Sequence, residues 1–428
     1  MSTPTATAPR YFKQFTCIGP DCPDTCCAGW AVTVDKAHYK KLRNAPEAQL
    51  ARDLREHLHV IPDGAPGQHA MMGLRSDGGC HMLGEDRLCR VQKTLGAEYL
   101  PRTCADFPRH YFRLGQRDEM YATLACPEVA RLALTVEDAL VADVAPFPFP
   151  PGKPAPYRSG FRGDLTAHAD PLVRNFEAIQ RFVQFTLRQR DHALWQRLLA
   201  IGLVAKRLSD PLLAPGAAER AAQDSTVELA LLERQVSLLD GSFRESTAEL
   251  AARPRDALVQ QALLKELTAE RLSANDGLFG GITSVAFLEC IGRAFRGFGF
   301  RDSDPEGTAA RFRAAEVDWF VPYDRAHPHL LENYLLNQVG ARFFPWGYGR
   351  GIVHEWNEIL VQYALVRFYL IGLAGEHREQ FSSDHYVKLI YSFGRVIEHY
   401  PSFREKIFGL LEGKGLTSLA AMAIMIKE

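Results

Sequence analysis

Between Cys17 and Cys27 the chain reads CIGPDCPDTCC, which places the four thiols of Cys17, Cys22, Cys26 and Cys27 within eleven residues. Thiols at that density serve as disulfide partners in an oxidising compartment or as ligands to a soft metal. The opening run MSTPTATAPRYFKQF has no apolar stretch of the export-signal kind, so a reducing, cytoplasmic setting is expected. The neighbours of these cysteines are Gly, Pro and Asp, which favour tight turns over burial of small apolar side chains. Turns of this kind bring several sulfurs to within the roughly 2.3 Å that a metal–thiolate bond requires. Cys80, Cys89, Cys104 and Cys126 extend the set, so eight of the nine cysteines lie in the first third of the chain. Cys290, in SVAFLECIGRAF, reads as a core residue.

Four cysteinate ligands suit either zinc or an iron–sulfur cluster. No histidine stands within the first group, and the eight thiols do not form the repeated CxxC knuckles of structural zinc sites, which favours a 4Fe–4S cluster with zinc as the alternative. Adjacent Cys26 and Cys27 point in different directions. One centre therefore needs a sharp backbone turn, and two centres or a spare thiol stay open. A single cluster drawing on both groups would staple the first turn to the segments bearing Cys80, Cys89, Cys104 and Cys126. Arg102, Asp106 and Arg109, in RTCADFPR, are expected to lock the Cys104 loop or bond to sulfur, and Trp30 to shield the centre.

These residues must be held by a scaffold, and composition bounds it. With 428 residues, 46% hydrophobic and 24% charged, the chain can build more than one core. Its 50 basic and 51 acidic residues create no overall field for nucleic acid or an anionic membrane. No uncharged apolar run reaches the roughly 18 residues of a bilayer span. We expect a mainly α protein. Residues 1–140 form a small cysteine-rich α+β metal-binding domain, 141–164 a Pro/Gly-rich linker, and 165–428 a larger all-helical domain. In the first part, Asp35 caps a helix that Pro46 interrupts. Helices follow from Cys89 to Tyr99 and from Pro127 to Leu140, with a hairpin turning near Gly115 between them. Beyond the linker, Leu172, Phe176, Ile179, Val183 and Leu187 recur at helical spacing.

The runs YFKQFTCIGPDCPDTCCAGWAVTVDKAHYKKL, CHMLGEDRLCRVQKTLGAEYLPRTCADFPR and LACPEVARL, with LLENYLLNQVGARFFPW further on, resemble the flagellin lysine N-methylases. The first part also resembles a wider group of small cysteine-cluster proteins described as zinc or iron chelators. The family resemblance implies methyl transfer from S-adenosylmethionine to lysine amines of flagellin. Within the matching ENYLLN it points to Glu332 and Tyr334 as catalytic groups and to Asn333 and Asn337 as donor-binding ones. Methyltransferases of the doubly wound type carry a Gly-rich strand-to-helix turn, and none is evident here. The nearest run, DGLFGGITS from Asp276 to Ser284, reads as a helix junction. HEWNE, His354 to Glu358, lacks the second histidine of a zinc protease and reads as an ordinary solvated or packed helix. The absence of CxxxCxxC argues against radical chemistry and for a structural or substrate-orienting cluster. The alternative is a non-catalytic metal-binding or redox-sensing interaction protein.

Overall fold

The computed structural model describes residues 4–29, 32–64, 67–149, 155–209, 217–253, 257–273, 284–300, 303–398 and 401–427. Among the described residues eight strands are present: β1 Thr5–Pro9, β2 Thr33–Val34, β3 Leu58–Val60, β4 Ala70–Met72, β5 Arg109–Gly115, β6 Arg117–Ala122, β7 Ala142–Pro146 and β8 Tyr157–Arg162. They form a five-stranded sheet of order β7-β1-β6-β5-β8 and a three-stranded sheet of order β2-β4-β3. The expected hairpin is β5–β6, paired Phe112 with Glu119 and Leu114 with Arg117. Gly115 turns it at φ +62°, a conformation that costs glycine little.

The stretch 141–164 is not a linker. β7 pairs antiparallel with β1, and β8 pairs parallel with β5, so both edges of the larger sheet come from it. Proline and glycine suit this place because an edge strand needs ladder hydrogen bonds on one side only. A Cβ on Gly160 would lie 2.4 Å from the Arg113 carbonyl oxygen, so close pairing there requires glycine.

Among the described residues the apolar side chains form one main core and three smaller clusters. The main core joins Tyr11, Ala122, Leu124 and Val129 to apolar residues as far as Ile426, so the turn after β1, the end of the hairpin and the helices share one interior, while Ala6 and Ala8 of β1 pack with Tyr111 and Met120 in a cluster of their own. A second core contains Val34, Leu42, Leu54, Met72, Met82 and Val91, with Cys27, Cys89 and Cys104 packed against it. It belongs to a module inserted between β1 and β5 and built on the three-stranded sheet. Its helices begin as the capping residues dictate. Asp35 accepts from the amides of Ala37 and His38, and after the Pro46 break Glu47 accepts from Gln49 and Leu50. The helix expected from Cys89 to Tyr99 stops at Leu95, where Gly96 adopts φ +92°, and the one from Pro127 stops at Thr135.

From residue 165 onward the described residues form helices and no strands. Ile352–His377 runs through the middle. By length and composition this helix could cross a membrane, but 94% of its most apolar window is buried inside the molecule, which makes it the core helix. Val285–Gly297 crosses it at close range: a Cβ on Gly372 would lie 2.4 Å from the Ala294 carbonyl oxygen. Cys290, on that crossing helix, is buried in the main core as its context indicated. DGLFGGITS lies outside the described residues apart from Ser284, which caps the same helix through the Phe287 amide.

Candidate functional site

The thiols gather where the inserted module meets the helical body. Cys27 donates hydrogen bonds to Cys26 and Cys89 and keeps its own proton, while the two acceptors are pulled down to about 7 and about 6. Cys89 caps the helix Arg90–Leu95, whose first amides also favour its thiolate. The Cys80 amide donates to the Cys27 carbonyl at 2.7 Å, and the Cys80 sulfur accepts from the Met82 amide. Cys104 lies near Cys89, Cys26 and Cys80, and burial pushes its thiol upward. Cys22 and Cys126 also lie near Cys26, and burial raises both, Cys126 to about 12. Cys17 is exposed.

Half-buried sulfur donors of this kind suit a thiophilic metal chemically. Their placement is not a closed ligand set: among the described residues no three His, Cys, Asp or Glu converge in metal-holding geometry. The Arg102–Asp106 pair, 3.6 Å apart, bridges the ends of the Cys104 turn, and Arg109 stacks on Phe15. Trp30 lies outside the described residues.

The helical body grips this turn through one side chain. Arg395, on a π-helical turn, donates to the carbonyls of Ala125, Thr25 and Asp24 at 3.1, 2.7 and 2.8 Å and pairs with the Asp24 carboxylate at 2.9 Å. Its close approach depends on Gly394, where a Cβ would stand 3.1 Å from the Ala125 amide nitrogen.

Glu332, Asn333, Tyr334 and Asn337 occupy the helix His329–Ala341 and are all buried. Glu332 is bound by Arg197 at 2.7 Å and by Arg190 at 2.9 Å. Asn333 donates to the Val136 carbonyl and Asn337 to the Ala122 carbonyl, while Tyr11 donates its hydroxyl proton to the Asn337 amide oxygen at 3.1 Å. Tyr334 sits within the main core. These contacts tie the helix to its neighbours and give Glu332, Asn333 and Asn337 structural partners, while Asn337 also lines a narrow recess with His110 and Gln338. The resemblance located an important helix, but its polar residues satisfy the interior.

An open recess of about 240 Å³ lies just beyond the C-terminal end of that helix, lined by Arg158, Arg342, Phe343, Trp346 and Tyr348 among others. A narrower extension reaches His110 and Gln338. Arg158 donates to the Tyr348 hydroxyl at 2.6 Å and contacts His110 at 2.8 Å. Arg158 and Arg342 both stand 5.8 Å from the centre of the Tyr348 ring. Arg342 pairs with Glu358, and Glu355 accepts the Tyr348 amide at 2.9 Å. Burial raises the Glu355 carboxyl. Phe343 holds φ +56° among Phe112, Phe161 and Phe176, a strained backbone fixed by aromatic packing at the recess floor.

Residues 181–425, more than half of the chain and including this loop and Arg395, match the FliB lysine N-methylase C-terminal domain. The chain belongs to the FliB lysine N-methylase family. It is 36% identical over 136 residues to the lysine-N-methylases of Salmonella typhimurium and Salmonella choleraesuis, a stretch that covers 32% of this chain and 34% of each relative. The same identity over 136 residues relates it to the flagellar biosynthetic protein FliU of Salmonella muenchen, with 80% of that protein covered. Thus the match spans about a third of the two lysine-N-methylases. No solved structure matches.

For a member of the FliB lysine N-methylase family, the recess residues are the ones sequence reasoning passed over. Arg342 was the signal available: a cation inside the otherwise apolar run VGARFFPW. Arg158 was obscured by the linker reading. HEWNE, expected to be an ordinary helix, buries two carboxylates against the recess loop.

Proposed function

We propose that this protein is a protein-lysine N-methyltransferase that transfers methyl groups from S-adenosylmethionine to lysine side chains of flagellin in the cytoplasm. Membership of the FliB lysine N-methylase family over residues 181–425 carries this reading. Relatives named lysine-N-methylase and flagellar biosynthetic protein support it. In the reaction a neutral lysine nitrogen forms a bond to the methyl carbon as the carbon–sulfur bond breaks. The bonding pair goes to sulfur, giving a thioether, and the new ammonium releases a proton to water. Lysine titrates near 10.4 in water, so the reacting amine must first lose its proton, which nearby cations such as Arg158 and Arg342 favour.

A sulfur-ligated metal centre is part of the proposal, a 4Fe–4S cluster first and zinc second. Cys26, Cys27 and Cys89, with Cys80 or Cys104, would hold it, while Cys22 and Cys126 stand close by on the body side. When bound it would crosslink the inserted module and fix the turn that Arg395 grips. The partner is a protein and neither nucleic acid nor membrane. The test is incubation of the full chain, purified without oxygen, with S-adenosylmethionine and flagellin, read by mass spectrometry of flagellin lysines. Methylated lysines are expected. Unmodified flagellin in the presence of intact metal content would overturn the reading.

A further inference from the structure

We propose that the recess framed by Arg158, Arg342, Trp346 and Tyr348 is the seat of the methyl donor, a ligand with a carboxylate at one end and an adenine ring at the other. The assignment rests on the methyltransferase reading above and adds the place and the contacts.

Charge is the first support. Glu358 compensates Arg342. Among the described residues no carboxylate lies within ion-pair distance of Arg158, whose guanidinium instead contacts the neutral Tyr348 hydroxyl and the His110 ring. Arg158 thus holds its guanidinium at a fixed position at the recess without a carboxylate of its own among the described residues, which suits a ligand carboxylate through a charge-assisted hydrogen bond. The rings are the second support. Trp346 and the partly exposed Tyr348 stand at the wall, and Phe343 and Phe112 close the floor. Flat π-faces of this kind stack a heteroaromatic base.

The backbone supplies the third. Gly347 at φ +53° packs directly over the Glu355 carboxylate, and Glu355 also accepts the Tyr348 amide. The loop is thus set before a ligand arrives, which lowers the ordering cost of binding. The recess is open, leaving one end of an occupant within reach of a lysine.

The test is calorimetric titration of the full chain with S-adenosylhomocysteine and with 5′-methylthioadenosine, which keeps the base and lacks the carboxylate. Arg158→Ala is expected to weaken S-adenosylhomocysteine on the order of tenfold and to leave 5′-methylthioadenosine unchanged. Trp346→Phe is expected to weaken both while urea midpoints stay at the wild-type value. Val353→Ala, in a separate cavity of about 420 Å³ beside His354 and Phe408, should bind both ligands as the parent does. Wild-type binding that neither the Arg158 nor the Trp346 variant alters would overturn the site and leave the methyltransferase reading standing. Absence of S-adenosylhomocysteine binding by the wild type would overturn both.

Discussion

Arg395 divides its guanidinium between the cysteine turn and the Ala125 carbonyl, and burial raises the Asp24 carboxyl beneath it against the opposing pull of that same arginine. Replacing it by methionine keeps the bulk and strands Asp24 and three carbonyls. We expect a loss of about 3 kcal/mol in urea unfolding, with Cys22 and Cys26 reacting faster with a thiol reagent; unchanged reactivity would mean the turn holds itself. Glu332→Gln should likewise cost about 3–5 kcal/mol by leaving Arg190 and Arg197 without their buried partner. A catalytic glutamate would instead show lost methyl transfer at unchanged stability. His385 gives a pH signature: burial and the neighbouring His377 lower it from 6.5 to about 4. The unfolded chain takes up this proton below about 6.5 while the native state refuses it until about 4. Stability should therefore fall as pH drops through that window and level off below it. His385→Gln should flatten the slope in acid unfolding curves.

The contact between Val285–Gly297 and Ile352–His377 works because Gly297 and Gly372 face each other's helix. Gly372→Ala pushes a methyl group into the Ala294 carbonyl, and about 1–3 kcal/mol of overpacking is expected at the urea midpoint, against the usual helix-stabilising gain of alanine. Elements specified by local chemistry were legible in the sequence. Asp35 capped its helix, the β5–β6 hairpin turned at Gly115, and the apolar spacing after residue 165 gave helices. The strands β7 and β8 were not, because what makes them strands is pairing with β1 and β5, and isolated Pro/Gly-rich segments look the same whether or not such an edge awaits them. The partners of ENYLLN were illegible for a related reason. Asn and Glu on a helix are equally able to face a ligand or a neighbouring carbonyl, and the choice lies in elements far away in sequence, such as Arg197 and Ala122.

At the scale of the molecule, the inserted module has its own core yet is held to the body by the cysteine turn. We expect iron and sulfide, or zinc, in the protein purified without oxygen, and chelation should raise hydrogen exchange across residues 32–104 while the central helix stays protected. Equal loss of protection in both would make the two cores one cooperative unit. The hydrogen bond from Tyr11 to Asn337 spans 326 positions of the chain. During synthesis the first strand leaves the ribosome long before that partner exists, and β6, its parallel neighbour, comes more than a hundred residues after it. The module between them can close early on its local contacts, whereas β1 must wait for β6 and β7, and Tyr11 for Asn337. Nascent chains halted before residue 117 should therefore leave residues 6–11 open to protease, and the finished molecule should protect them, so that a strand made before the module becomes structure only after it.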